Sequence, residues 1–261
     1  MSGVIGAVIM HKGGVGKTTT VYNLGHALSI LGKRVLVVDL DPQSNTTSIL
    51  YNNEDIRKSA YDLISSEDIN VDECVYATQY KDLYILPNVR KTATLEARLF
   101  GNMPDSMNII KNKLKDYAAK HYDITLIDNA PHLGVICVNS VLTSDFVIIP
   151  NETGSMFSID GLNDAVEFAR EIKNLNKVNL KFIKVLMTKV HKNYTAHKAA
   201  ITQIKNFFPK NRVFQTIIPS NADIQKAEMS KRTIIAYRSN AIGAKAYEAL
   251  ASELIDELKL N

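Results

Sequence analysis

The glycine-rich segment at residues 11–19, which reads His-Lys-Gly-Gly-Val-Gly-Lys-Thr-Thr, constrains the fold more than any other part of the chain. An apolar run typical of a buried strand precedes it at residues 4–10, and apolar residues at helical spacing follow it as far as Leu31. Strand, glycine loop and helix in this order form a phosphate-binding loop, in which backbone amides at a helix N-terminus hold an anion. The segment therefore predicts an α/β nucleotide-binding fold.

Two lysines lie within this loop, and they need different explanations. Lys17 occupies the usual position for contacting the β and γ phosphates of a nucleotide, and one such lysine suffices within one subunit. Lys12 lies five positions earlier. The general pattern G-x-x-x-x-G-K-[ST] fails because its first position is His11, whereas the variant pattern K-G-G-x-G-K-T-T is matched in full. The sequence therefore indicates a deviant loop with an extra lysine.

Three aspartates follow two further apolar runs. Asp39 and Asp41 come at the end of the run that begins at Arg34, and Asp128 ends the run at residues 124–127. In an open α/β sheet, ligands bind beyond the carboxyl ends of the strands, so we expect the three carboxylates to converge on the glycine loop. Carboxylates beside a triphosphate, together with a threonine hydroxyl and phosphate oxygens, imply Mg²⁺.

Strand and helix patterns alternate along the rest of the chain. Further strands are predicted at residues 83–87, 124–128, 146–150, 181–188 and 213–218. Helices are predicted near residues 91–100, 104–121, 133–143, 158–176, 195–208 and from about 240. The segment 45–75 is polar and lacks strong periodicity. This order predicts the α/β class, with one domain over residues 1–261 and a doubly wound, mostly parallel sheet flanked by helices.

Charge is distributed unevenly along the chain. Residues 173–238 contain fourteen Lys or Arg and only two acidic residues, a net charge of +12, although the whole chain carries +4. A one-sided basic field attracts polyphosphates and releases counterions on binding, so this segment predicts a nucleic-acid face rather than solvated charge alone. Contacts to phosphate would be independent of base sequence. We assign them to Lys189, Lys192, Lys198, Lys231 and Arg232, with Lys205, Lys210, Arg212 and Arg238 as further candidates.

Composition limits the remaining classes of function. A length of 261 residues and 46% hydrophobic residues suit a globular α/β protein. Cys74 and Cys137 are far apart and lack C-x-x-C spacing, so a reducing cytoplasm is expected. Near the C-terminus, Leu250, Leu254 and Leu258 recur at four-residue spacing among acidic neighbours. Membrane-surface helices carry Lys and Arg on their polar face, so this pattern predicts core packing and no membrane binding.

These motifs together resemble those of the ParA/MinD family of deviant Walker A ATPases, and the pattern is closest to the ParA/Soj DNA-partition ATPases. The resemblance covers essentially the whole length of the chain. It includes the P-loop at residues 12–19, Val-Val-Asp-Leu-Asp-Pro-Gln at 37–43, the Walker B strand at 124–128, the stretch 149–162, and Ile-Pro at 218–219 followed by 243–247.

The resemblance implies roles for the residues of the loop. Lys12 would be the signature lysine that reaches across a dimer interface to the partner's nucleotide, and Lys17 would hold the β and γ phosphates. Thr18 would ligate Mg²⁺, and Thr19 would hydrogen-bond the α phosphate. The remaining nucleotide-binding positions of the loop are Gly13, Gly14, Val15 and Gly16.

The resemblance also implies roles outside the loop. Asp41 would position or activate the attacking water, Asp39 and Asp128 would organise the metal, and Pro219 would flank the adenine. The sequence departs from the family pattern at two places. Asn-Ala-Pro follows the Walker B strand at residues 129–131, and Ser220 stands where many partition ATPases have a DNA-binding arginine. The DNA contacts are therefore expected elsewhere.

A function follows from the resemblance. The implied protein is a cytoplasmic, nucleoid-associated, Mg²⁺-dependent ATPase that forms an ATP-sandwich homodimer and binds nonspecific double-stranded DNA. It would drive plasmid or chromosome partition with a ParB-like, centromere-binding partner. Two alternatives remain open. One is a positioning ATPase of the same kind that carries a non-DNA cargo, and the other is a metabolic P-loop ligase, which would not bind DNA.

Overall fold

The computed structural model describes residues 2–153, 158–175, 178–191 and 194–260. The strands within these ranges are β1 (Val4–Val8), β2 (Val35–Asp39), β3 (Tyr76–Ala77), β4 (Leu83–Leu86), β5 (Ile124–Asp128), β6 (Phe146–Glu152) and β7 (Phe182–Thr188). They form one sheet in the order β3-β4-β2-β5-β1-β6-β7. All neighbouring strands are parallel except β3, which pairs antiparallel with β4.

Helices cover both faces of this sheet. On one face lie α1 (Lys17–Ile30), α2 (Asn45–Leu50), α9 (Ala222–Met229), α10 (Ile234–Tyr237) and α11 (Ile242–Leu258). On the other face lie α3 (Ala60–Ser65), α4 (Leu95–Gly101), α5 (Ile109–His121), α6 (Val135–Thr143), α7 (Ser158–Leu175) and α8 (Thr195–Phe207). The predicted doubly wound, mostly parallel sheet flanked by helices is confirmed.

The two-sided cover explains why the strands are apolar at every position. In β2, Val35 and Val37 pack into the core beneath α1 and α11, whereas Leu36 and Val38 pack into the core on the opposite face. Side chains alternate across a strand, so a strand that is buried on both faces has no polar position to leave in solvent. This arrangement turns the apolar runs of the sequence into the central strands.

The register of the central strands brings the carboxyl ends of β1, β5 and β2 together. Val8, the last residue of β1, pairs with Asp128 on β5, and Asp128 pairs in turn with Asp39 on β2. The glycine loop leaves the end of β1 at the same edge. The crossover from β1 runs to β2 on one side, whereas the crossover from β5 runs to β6 on the other, so a crevice for a ligand forms at this point of an open sheet.

The predicted strand at residues 213–218 is wrong. This segment makes only isolated bridges to the end of the sheet, from Val213 to Val185 and from Pro219 to Val190. The amides of Gln215 and Thr216 instead donate to the carboxylate of Glu253 on α11, at 2.7 and 2.9 Å. The segment thus runs along the edge of the sheet, where Phe214 and Ile218 each donate one hydrogen bond to β7, but it does not form a continuous strand. Within residues 45–75, which lack periodicity, the structure contains α2 and α3, each too short for a helical pattern to emerge.

A buried ion pair joins α11 to β7. The amine of Lys184 lies 2.6 Å from Glu257 Oε2 and faces the rings of Phe182 and Phe214 at about 5.5 Å. The Lys184 side chain is only 6% exposed, so it belongs to the core. The net charge of residues 173–238 therefore overstates the charge on the protein surface.

Glu257→Gln should destabilise the protein by about 2 kcal/mol, because it leaves the buried ammonium of Lys184 without its charge partner while Glu257 itself is partly solvated. Urea denaturation measures the change in the free energy of unfolding. A matched control is Glu248→Gln, which breaks the exposed 2.8 Å pair with Lys245 within α11 and should cost less than about 0.5 kcal/mol. Equal effects of the two substitutions would contradict the structural role of the buried pair.

Candidate nucleotide-binding site

The glycine loop between β1 and α1 has a backbone that only glycine adopts readily. Gly14 and Gly16 have φ values of +75° and +90°, and Gly16 immediately precedes the first turn of α1. Among the described residues, no atom outside the glycine and its two chain neighbours lies within 4 Å of the position that a Cβ on Gly13 or Gly14 would occupy. The loop is thus open on the side of these two glycines, where an anion can approach the amides at the start of α1.

Lys17 is buried inside the loop. Its Nζ donates to the backbone carbonyl of Lys12 at 3.2 Å, so the side chain spans the loop from one end to the other. Burial lowers the pKa of Lys17, and the nearby carboxylates of Asp128 and Asp41 oppose this by raising it. A hydrogen bond also anchors the loop to β7, because the hydroxyl of Thr188 at the end of that strand donates to the carbonyl of Val15 at 2.8 Å. The Val15 side chain is buried in the core, so only its backbone contributes to the loop.

Asp39 is fully buried and accepts several hydrogen bonds from the segment that follows β2. One carboxylate oxygen accepts from the amide and the hydroxyl of Thr47, at 2.9 and 2.7 Å. The other oxygen accepts from the amide of Asp41 at 3.0 Å. Both oxygens are therefore engaged with the protein itself. These hydrogen bonds fix the positions of Asp41 and of the start of α2 relative to the end of β2.

Asp128 is also fully buried but has a free oxygen. Its Oδ2 accepts from the hydroxyl of Thr46 at 2.7 Å, whereas Oδ1 makes no hydrogen bond with any described residue. Burial raises the pKa of Asp128, and the hydroxyls of Thr46 and Thr18 lower it in part. Burial also raises the pKa of Asp39, and the neighbouring charge of Asp128 adds to this effect. A buried carboxylate oxygen without a partner beside Thr18 is suited to the hydration shell of a cation.

A cavity of about 390 Å³ extends from the glycine loop across the start of α1. The glycine loop, the start of α1 and the segment after β2 line it with Gly13, Gly14, Gly16, Lys17, Thr18, Thr19, Asp41 and Gln43. The segment before and within α9 lines it with Pro219, Ser220, Asn221, Ile224 and Gln225. The volume and the mixture of polar and apolar walls suit a nucleotide. Of the two lysines in the loop, Lys17 is among the described residues that line the cavity and Lys12 is not.

Magnesium fits this site when a nucleotide is bound there as well. No group of three His, Cys, Asp or Glu side chains in the described ranges could hold a metal by itself. Thr18 lines the cavity, and its hydroxyl is close enough to the carboxylate of Asp128 to lower the pKa of that group. Mg²⁺ is usually held by one or two protein oxygens together with phosphate oxygens and water, which is the donor set available here.

Several supporting residues are not recognisable in the sequence. Thr47 also accepts a hydrogen bond from the amide of Asn88 at 2.9 Å, and the Asn88 side chain accepts from the hydroxyl of Thr92. Asn129, which departs from the family pattern, donates to the carbonyl of Val8 at 3.2 Å and to the hydroxyl of Ser140 at 3.0 Å. These residues tie the ends of β1, β2 and β5 together. These residues belong to polar segments that match no sequence motif, so their supporting role could not be predicted from neighbouring residues in the chain.

The predicted DNA-binding residues fall in two places. Lys189, at the end of β7, and Lys198, on α8, are exposed, and Lys189 also lines the nucleotide cavity. Lys231 and Arg232 are exposed in the turn after α9. Lys192 lies outside the described residues. Ser220, at the position of the expected arginine, lines the nucleotide cavity.

The glycine loop between β1 and α1, the aspartates at the ends of β2 and β5, and the cavity beside them define a P-loop nucleotide-binding protein. Residues 3–183 match the family described as AAA domain. The chain is 32% identical over 253 residues to the sporulation initiation inhibitor protein Soj of Bacillus subtilis (strain 168), which covers 97% of this chain and 98% of Soj.

Solved structures share the same fold. A plasmid partition protein from Borrelia burgdorferi has a TM-score of 0.76 at 23% identity, with 98% of this chain and 99% of that chain covered. Cobyrinic acid a,c-diamide synthase from Mycobacterium smegmatis, with a bound ATP analogue and magnesium, has a TM-score of 0.78 at 25% identity, with 99% and 96% covered. The chain belongs to the ParA/Soj-type P-loop ATPases. In the described part of the chain, no helix is long and apolar enough to span a membrane.

Proposed function

We propose that this ATPase forms an ATP-dependent homodimer that binds nonspecific double-stranded DNA and acts in plasmid or chromosome partition. Its partner would be a ParB-like, centromere-binding protein, and its place the cytoplasm, in association with the nucleoid. One observation carries the proposal. Lys17 is buried within its own loop, whereas the side chain of Lys12 takes no part in lining the cavity of its own subunit. A lysine in that position is available to a nucleotide bound by a second subunit.

The phosphate-binding residues have separate tasks in this proposal. The amides of Gly13, Gly14 and Gly16 would hold the phosphates, and Lys17 would leave the Lys12 carbonyl to contact the β and γ phosphates. Thr18 would ligate the metal through its hydroxyl oxygen. Thr19 would donate a hydrogen bond from its hydroxyl to the α phosphate. Bound Mg²⁺ supplies charge neutralisation on the β and γ phosphates. Pro219 would flank the base at the opposite end of the cavity.

The acidic residues would organise the attack of water. Asp41 lines the cavity, and its side chain is oriented by a 2.9 Å hydrogen bond from the amide of Gln43 to its Oδ1. Asp39 holds the backbone of Asp41, as described above, and so positions this carboxylate. Asp41 would orient the attacking water beside the γ phosphate. Asp128 would accept from water in the metal's hydration shell with its free oxygen.

DNA binding is supported by the exposed cations at the end of β7, on α8 and after α9. Pairing two subunits brings two sets of these cations to one duplex, so dimerisation raises affinity without a new chemical contact. A positioning ATPase with a non-DNA cargo would share this behaviour and differ only in its partner. The metabolic alternative is favoured by the likeness to a diamide synthase, and it would show no binding to DNA.

Replacing both Lys231 and Arg232 by alanine should weaken binding to any duplex, because each lost phosphate contact lowers the magnitude of the salt slope by about 1. Fluorescence anisotropy on two unrelated duplexes, at several salt concentrations and with ATP or ADP, measures this effect. Lys198→Ala on α8, a residue that is not among those lining the nucleotide cavity, should act in the same way for a single contact, and dimerisation should remain intact. A control with the same loss of charge is Lys111→Ala with Lys120→Ala on α5, which should leave the slope unchanged. Equal affinity with both nucleotides, or no binding at low salt, would favour the metabolic alternative.

A further inference from the structure

The turn between α9 and α10, residues 230–232, presents Lys231 and Arg232 in a fixed conformation and is called the basic turn below. The amide of Arg232 donates to the carbonyl of Ala227 at 3.0 Å, and the amide of Ser230 donates to the same carbonyl at 3.1 Å. Lys231 has a φ of +50°, in the left-handed region. Such a backbone conformation is uncommon in a residue with a side chain and persists where the surroundings hold it.

A first connection runs from the phosphate-binding turn of α1 to the residues after the basic turn. The fully buried side chain of Asn23 donates through Nδ2 to the carbonyl of Thr19 at 2.9 Å. Its Oδ1 accepts from the amide of Ile234 at 2.8 Å. A single side chain therefore joins a residue of the glycine loop's helix to the residue that lies two positions after Arg232.

A second connection lies one helical turn further along α1. Nδ1 of His26 lies 2.6 Å from the hydroxyl of Thr233, and its ring stacks on Tyr80 with a centroid distance of 4.1 Å. The Thr233 hydroxyl accepts from the amide of Ala236 at 3.3 Å, so its proton is directed to His26. Burial lowers the pKa of His26 to about 4, which keeps the imidazole neutral and its Nδ1 able to accept. The Tyr80 hydroxyl completes the arrangement by accepting from the amide of Thr233 at 3.4 Å.

We infer that Asn23, His26 and Thr233 form a mechanical link through which the nucleotide bound at the start of α1 sets the position of the basic turn. A helix of fourteen residues moves as a rigid body, so a displacement at Thr19 is carried to both connections. The link makes the DNA contacts of Lys231 and Arg232 depend on the nucleotide. The inference deepens the proposed function and rests on its DNA-binding step. Asn23, His26 and Thr233 are positioning residues, since none of them is among the residues that line the cavity.

A matched pair of substitutions tests the link. Thr233→Val keeps the shape of the side chain and removes the hydroxyl, whereas Thr233→Ser keeps the hydroxyl. The measurement is the ratio of DNA affinities with ATP and with ADP, by fluorescence anisotropy on the full chain. Loss of one buried hydrogen bond should lower this ratio by about fivefold in Thr233→Val and leave it unchanged in Thr233→Ser. A wild-type ratio in Thr233→Val overturns the inference.

A double-mutant cycle assigns the effect to the basic turn. In the Thr233→Val background, removing Lys231 and Arg232 should cause no further loss of nucleotide dependence, because both changes remove the same coupled contacts. Removing Lys198 on α8 should act independently of Thr233→Val. The inference is overturned if the double-mutant cycle gives the same coupling energy between Thr233 and Lys198 as between Thr233 and the basic turn. If Thr233→Val fails to fold, Tyr80→Phe removes the accepting hydroxyl at a partly exposed position and takes its place.

Hydrogen exchange separates a failure of the link from a failure of the proposed function. Peptides that cover residues 230–237 should exchange at different rates with ATP and with ADP in the wild type, and at equal rates in Thr233→Val. Peptides from α5 serve as the internal control. Equal exchange of residues 230–237 in the wild type with both nucleotides overturns the link. A nucleotide-dependent difference in a protein that does not bind DNA supports the link and rejects only the proposed DNA function.

Discussion

Lys12→Ala should still bind ATP but lose dimerisation and hydrolysis, whereas Lys17→Ala should lose nucleotide binding itself. The two lysines differ in their surroundings. Lys17 is buried in the loop and would contact phosphates of its own nucleotide, so its removal should weaken binding by about 100-fold. In the proposed dimer Lys12 would act on the nucleotide of a second subunit, where a stabilising cation is worth about 1000-fold in rate, as for an arginine finger. Light scattering with ATP and a phosphate-release assay measure the two properties.

Mixing two inactive variants tests whether Lys12 acts across the interface. In a heterodimer of Lys12→Ala and Asp41→Ala, one nucleotide site combines an intact Asp41 from one subunit with an intact Lys12 from the other. Action in trans therefore predicts that hydrolysis reappears on mixing, although each variant alone is inactive. If Lys12 acts within its own subunit, every site carries one defect and the mixture stays inactive. A Lys12→Ala protein that dimerises and turns over normally would also refute the role.

Asp41→Ala should bind ATP, form a long-lived dimer and remain on DNA, because assembly precedes the chemical step. We expect hydrolysis to fall by about 1000-fold, within the range for loss of a residue that orients or activates the attacking group. We therefore expect the Asp41→Ala variant to remain in the dimeric, DNA-bound state. Single-turnover hydrolysis in the presence of DNA measures the chemical step, and light scattering follows the lifetime of the dimer.

A second acidic residue of the same cavity provides the control for this prediction. Glu228 also lines the cavity, but it belongs to α9 and not to the glycine loop or to the strand ends that carry the aspartates. Glu228→Ala removes the same charge from the same cavity and should leave hydrolysis close to that of the wild type. Asp41→Asn should retain the hydrogen bond from the amide of Gln43 and still lose activity. Normal turnover in Asp41→Ala would move the role to another residue.

The phosphate-binding end of the site was predictable from the sequence because its chemistry is local. Residues 12–19 form one contiguous loop and the first turn of α1, so their amides and side chains are neighbours along the chain. The aspartates were predictable for a related reason. Asp39 and Asp128 end apolar runs, and parallel strands of one sheet bring their carboxyl ends to one edge. Apolar runs also sufficed for the strands, since strands that are buried on both faces cannot be mistaken for surface segments.

The same reasoning failed where an apolar run lies at the edge of the sheet. Residues 213–218 have the composition of a strand, but Glu253 takes the amides of Gln215 and Thr216. Nothing near the segment in the sequence indicates this acceptor. The basic character of residues 173–238 was likewise visible, whereas the burial of Lys184 against Glu257 was not. Counting charges does not distinguish a surface lysine from one that is paired inside the core.

The class of fold, the glycine loop and the acidic residues beside it could be predicted because they depend on periodicity and on contiguous motifs. The hydrogen bonds of Asp39 to Thr47 and Asp41 could not, and neither could the bond from Ile234 to Asn23, two residues that lie 211 positions apart. Hydrogen bonds between residues so distant in the chain leave no periodic trace in it. They exist because the packed sheet and helices exclude water and leave each buried polar group to find its partner within the protein.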